Sequence, residues 1–63
     1  MNFSENLRNA RKAAGLTQQE VADLLPIHRT TYNKYERKGV EPPLSIVCRL
    51  AEVLNVSVND LVK

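Results

Sequence analysis

The chain is poor in the residues that most site chemistry needs. Its 63 residues include one cysteine, Cys48, one histidine, His28, two glycines and no tryptophan. A single cysteine cannot close a disulfide within the chain or build a cysteine-based metal site. With no second histidine and only a distant cysteine, His28 has no metal-ligand spacing around it, so neither a metal nor a cofactor is expected. Two isolated glycines exclude a glycine-rich phosphate loop. No paired carboxylates stand with a partner histidine, and no base is placed beside Cys48, which reads as a small apolar filler. An enzyme is therefore not expected. No apolar run is long enough to span a bilayer, and no signal peptide is recognisable. No membrane partner, no small-molecule ligand and a cytoplasmic location are the corresponding expectations.

Charge is present but unevenly spread. The net charge is +2. Residues 1–40 carry seven basic residues against four acidic ones, net +3, and residues 41–63 carry two against three, net −1. A basic half suits a polyanion, although so small an imbalance also fits scatter. A chain of this length forms one domain, residues 1–63, and buries only about 60% of its unfolded surface, so helices must pack well or the chain must oligomerise.

The chain is organised around Thr17–Arg37, TQQEVADLLPIHRTTYNKYER. Thr17 and Glu20 have the spacing of a capping box, flanked by Leu16 and Val21 as a hydrophobic staple. Helix two is predicted from Gln18 to Leu24 or Leu25, with Val21, Ala22 and Leu25 inward and Ala22 at a close helix approach. Tyr32 and Tyr35 share one face of a following helix, predicted from Arg29 to Arg37, and Arg29, Thr30, Asn33 and Lys34 point elsewhere. Two short helices joined tightly, the second with a free polar face, describe a helix-turn-helix unit at about residues 17–37.

LTQQEVADLL, IHRTTYNKYER and PPLSIVCRLAEVLNVSVNDL, in this order, resemble the lambda-repressor-like (Cro/C1, XRE-type) helix-turn-helix domain from about Leu7 to Leu61. The resemblance implies an all-α, five-helix fold that binds double-stranded DNA. Its third helix enters the major groove by its N-terminal residues. Arg29, Thr30, Asn33, Lys34 and His28 are then the candidate base contacts. Arg29 suits guanine O6 and N7, and Thr30 a thymine methyl or a phosphate. Gln18 corresponds to the family's phosphate-binding residue, with Thr17 beside it, and the loop after helix three lies along the backbone, making Arg37 and Lys38 phosphate candidates. An ordinary polar surface is the competing reading for all of these. The resemblance also implies an ion pair between Arg11 and Glu36 that locks helix one to the reading helix.

Three departures stand out. Pro26 replaces the usual turn glycine and should push Leu25 off helical angles. His28 replaces the usual Ser or Thr cap, so Thr30 or Thr31 is expected to start helix three later. Tyr32 replaces a typical Ile or Val. It is expected at the rim of the core with its hydroxyl wet, in preference to stacking on a base.

Outside this unit, Asn2 and Glu5 have capping spacing for helix one, whose stripe is Phe3, Leu7, Ala10 and Ala14, ended by Gly15. Arg8 and Lys12 lie off that stripe. Gly39, Pro42 and Pro43 separate helix three from helix four, Leu44 to Leu54, with Leu44, Val47, Leu50, Ala51 and Leu54 on its core face. Asn55 suits a left-handed cap. Ser57 and Asp60 repeat the capping box, opening helix five at Val58–Val62. Ile46 and Val53 widen the helix-four stripe, which is more often core than interface, and Val58 and Val62 are spare apolar groups with little left to cover them; the four together are the candidate homodimer interface.

The function expected is sequence-specific duplex binding by a small transcriptional regulator, a repressor, as a homodimer on a two-fold operator. The alternatives are an antitoxin or other protein-interaction module, and a restriction-modification control protein.

Overall fold

The computed structural model describes residues 2–37 and 40–63. Among these there are five helices and no strand: α1 (Phe3–Ala13), α2 (Gln18–Leu24), α3 (Arg29–Tyr35), α4 (Leu44–Leu54) and α5 (Val58–Val62). α2 packs on α3, α1 on α5 and α4 on α5.

Each helix begins and ends for a local reason. Asn2 Oδ1 accepts from the Glu5 N–H and from Ser4 Oγ, opening α1. Gly15, at φ +75°, closes it. The Leu16 N–H reaches back to Arg11 C=O and the Gly15 N–H to Lys12 C=O, the two bonds of a Schellman motif. α4 ends the same way, with Asn55 left-handed and Val56 N–H bonded to Ala51 C=O. Reciprocal capping boxes start α2 at Thr17–Glu20 and α5 at Ser57–Asp60. Asn6 Nδ2 donates to the carbonyls of Leu61 and Lys63, tying α1 to the end of α5.

Leu7, Val21, Ala22, Tyr32, Leu50 and Leu61 are fully enclosed, and Phe3, Leu25, Val47, Ala51 and Leu54 complete the core. All five helices contribute, so no helix has a buried face without the others.

The structure corrects several expectations. Leu25 keeps helical angles (φ −71°, ψ −32°) although Pro26 follows it. Its N–H bonds Val21 C=O and its side chain is buried, and together these outweigh the steric bias before proline. The turn closes without glycine because the Ile27 N–H reaches Ala22 C=O at 2.8 Å. α3 starts at Arg29 and not at a threonine. His28 takes the cap backbone conformation but makes no side-chain cap bond. α3 also stops at Tyr35, two residues before Arg37. Glu36 and Arg37 bond three residues back, to Asn33 and Lys34, which tightens the last turn. Ala14 is exposed, past the end of the stripe it was assigned to. Leu44 is 70% exposed because the first residue of α4 extends beyond the core. Cys48 faces solvent, so it fills no core space. Gly39, expected to help end helix three, lies outside the described residues.

Candidate nucleic-acid interface

The helical period divides α3 into two sides. Thr30 and Lys34, at i and i+4, are exposed, and so is Arg37, two residues past the end of the helix. Arg29 and His28, at the helix start, are exposed too. On the opposite side Tyr32 is fully buried, Glu36 is 6% exposed and Tyr35 packs against the core. The helix thus lies on the body by its tyrosine side and shows its cationic side to solvent. Lys38 lies outside the described residues.

What holds α3 in this attitude is a polar network centred on Glu36. Its carboxylate accepts from Arg11 Nε at 2.7 Å and Arg11 Nη2 at 3.2 Å, from Gln18 Nε2 at 3.0 Å, and from the Tyr32 hydroxyl. Arg11 Nη1 also donates to Leu16 C=O at 2.9 Å, at the entry to α2. Gln18 Oε1 in turn accepts from Asn33 Nδ2 at 3.0 Å. Side chains of α1, α2 and α3 therefore converge on one carboxylate, and among the described residues no buried side-chain nitrogen or oxygen is left unpartnered. A satisfied buried network of this kind fixes relative helix orientation, because every alternative leaves a group desolvated and unpaired.

The ionisation states follow. Burial pushes the Glu36 carboxyl up, but the hydrogen bonds from Arg11, Tyr32 and Gln18 outweigh it and hold the group below the ordinary carboxylate range. The Glu36 hydrogen bond raises Arg11 further, keeping it cationic. Burial, and then the bond to the Glu36 carboxylate, push the Tyr32 phenol well up, so it donates and does not ionise. The expectation of a wet Tyr32 hydroxyl is thus overturned. The hydroxyl is enclosed, and Glu36 supplies the acceptor that water was expected to supply.

Thr17 is exposed. Its Oγ accepts from the Glu20 N–H at 3.1 Å, which leaves the hydroxyl proton available. Gln18 and Asn33 are half-buried, each engaged by the other. The Tyr32–Glu36 contact had a signal in the sequence, the i, i+4 spacing. The Gln18–Asn33 contact joins residues fifteen apart on different helices and had none.

This arrangement is shared with known proteins. A family model described as helix-turn-helix matches residues 7–61. The chain belongs to the Cro/C1 (XRE-type) helix-turn-helix family. This is a family of DNA-binding transcriptional regulators and not of enzymes. An uncharacterized HTH-type transcriptional regulator of Bacillus subtilis, YqaE, is 43% identical over 61 residues, which are 97% of this chain and 53% of that protein. The cryptic phage CTXphi transcriptional repressor RstR of Vibrio cholerae is 36% identical over 61 residues, 97% of this chain and 54% of that one. The helix-turn-helix chain therefore spans about half the length of these curated relatives. The crystal structure of the restriction-modification controller protein C.AhdI from Aeromonas hydrophila superposes with a TM-score of 0.86 at 30% identity. That match covers 94% of this chain and 89% of that one. Among the described residues no helix is long and apolar enough to cross a membrane.

Proposed function

We propose that this helix-turn-helix chain binds double-stranded DNA sequence-specifically as a small transcriptional repressor, working as a homodimer on a two-fold operator. The observation that carries the reading is the two-sidedness of α3 and the turn that ends it: Tyr32 and Glu36 are locked inward while Arg29, Thr30, Lys34 and Arg37 stand exposed. Arg29 is assigned to guanine, Thr30 beside it to a thymine methyl or a phosphate, and Lys34 to a base or the backbone one turn along, with His28 at the groove edge. Thr17, Gln18, Arg37 and Lys38 are assigned to the phosphates that flank the groove.

One such unit reaches few base pairs, so two copies are needed. Their reading helices would stand about 34 Å apart, one DNA turn. Each body measures 25 × 23 × 20 Å between Cα extremes, which suits two side by side on one duplex face. The interface proposed is Ile46, Val53, Val58 and Val62. The first three lean on the core, and Val62, 37% exposed, borders a recess of about 90 Å³ with Phe3, Glu41, Pro42 and Val47. A partner's apolar side chain has a recess to enter there.

Selection of binding sites from random duplex DNA tests this directly. The expected product is an inverted repeat with half-sites one turn apart, bound with an affinity that falls steeply with salt. Selection of single, unpaired half-sites, together with a monomer in sedimentation at high micromolar concentration, would refute the dimer. Failure to bind any duplex at low salt would refute DNA binding.

A second reading is favoured by one specific observation. The fold superposes on that of a restriction-modification controller protein, C.AhdI, over 94% of this chain at 30% identity. A restriction-modification control protein would use the same surface, with its operator beside restriction and methylation genes.

A further inference from the structure

We propose, on the reading that the chain binds duplex DNA, that Asn33 is a positioning residue and not a base reader. Acting through Gln18, it couples a phosphate contact to the attitude of α3. Base recognition then falls to the exposed Arg29, Thr30 and Lys34, with His28 beside them, and no asparagine-directed adenine is read.

Asparagine is the side chain that recognises adenine, by presenting its oxygen and its amide together to N6 and N7. Asn33 is placed otherwise. Its Nδ2 donates to Gln18 Oε1 at 3.0 Å, and Gln18 is held from its other end by the 3.0 Å bond from its Nε2 to Glu36 Oε1. Glu36 is in turn fixed by Arg11 and Tyr32. Turning the Asn33 amide to a base edge would strip Gln18 of a partner and loosen a chain of bonds ending at a buried carboxylate. Asn33 is also half-buried, whereas Arg29, Thr30 and Lys34, on the same helix, are exposed. Gln18 is the phosphate candidate at the start of α2, so the Asn33–Gln18 bond joins the residue that senses the backbone to the helix that enters the groove. Its effect on binding should be the same whatever the base sequence.

The test is a double-mutant cycle with Asn33→Ala and Gln18→Ala, read on a selected operator and on random duplex, alongside thermal melts that give the folded fraction. Asn33→Ala is expected to weaken both DNAs alike, by about two- to tenfold, the fold-change of one neutral hydrogen bond. The base preferences selected by N33A should match those of the unsubstituted chain at every position. The double variant should be no weaker than Gln18→Ala alone, since the two act as one unit. The unchanged base-preference profile separates positioning from base reading, and a loss of affinity that persists after correction for the folded fraction separates positioning from mere destabilisation. Loss of preference at one adenine, or effects of the two changes that multiply, would overturn the inference alone. Failure of the unsubstituted chain to bind duplex would overturn the function, and this inference with it.

Discussion

Glu36→Gln is the substitution that probes the structure hardest. It keeps the shape of the side chain but removes the charge and replaces one acceptor oxygen by a donor. The carboxylate serves four hydrogen bonds from three residues, and a neutral amide has one oxygen to offer them. Its NH₂ must then meet donors from Arg11, Gln18 or Tyr32. Arg11, only 13% exposed in its side chain, is left as a cation without a counter-charge. Removing one side of a buried pair costs about 3–5 kcal/mol. The lower end applies, because Arg11 keeps its bond to Leu16 C=O and some contact with water. A domain of this size has a total stability of roughly 3–9 kcal/mol, so a loss of about 3 kcal/mol takes a third or more of it. At about 4–8 °C per kcal/mol, the expected fall in Tm is about 12–24 °C. Thermal melts followed by far-ultraviolet circular dichroism near neutral pH measure it. Replacing both partners, Arg11→Met with Glu36→Met, should recover part of the loss, since no charge is then stranded. Full recovery is not expected, because Tyr32 and Gln18 still lose their acceptor. A fall of less than about 4 °C for Glu36→Gln, equivalent to under about 1 kcal/mol, would refute the view that this network anchors α3.

Four further outcomes are expected. Because the Glu36 carboxyl sits below its ordinary range when folded, its contribution is complete above the unfolded value and is lost as pH falls through the lowered folded one; Asp60, lowered by its hydrogen bonds with Ser57, acts in the same direction. Acid titration of stability should therefore be steeper in the unsubstituted chain than in Glu36→Gln, and equal slopes would contradict it. Tyr32→Phe removes a buried donor to a charged acceptor and should cost about 1.5–3 kcal/mol in urea unfolding, whereas a hydroxyl facing water would cost little. Arg29→Ala should cost about 1–3 kcal/mol at one base position and relax preference there, and a uniform loss across sequences would remove it from the base-reading set. Gly15→Ala meets no atom within 4 Å, so only the left-handed backbone opposes it; a destabilisation of about 1–2 kcal/mol is expected, and an unchanged melt would show that the turn is not held at positive φ.

The sequence by itself determined the elements and their order. Caps and periodicity are local, acting over three or four residues, so Thr17–Glu20, Ser57–Asp60, Gly15 and Asn55 announced where helices start and stop. Likeness of motif implied the family, and with it Arg11 beside Glu36, a contact no local spacing could have suggested. The tertiary structure decided what depends on several helices meeting. It kept Leu25 helical before Pro26 because burial there outweighs a local steric bias. It left Leu44 in solvent because the body ends short of the start of α4, and Cys48 because that position lies off the stripe of Val47, Leu50, Ala51 and Leu54. It enclosed the Tyr32 hydroxyl and bonded Asn33 to Gln18 because α1, α2 and α3 bring their polar side chains to one desolvated carboxylate, and where a buried hydrogen bond goes is settled by which groups the packing brings within reach, not by their distance along the chain.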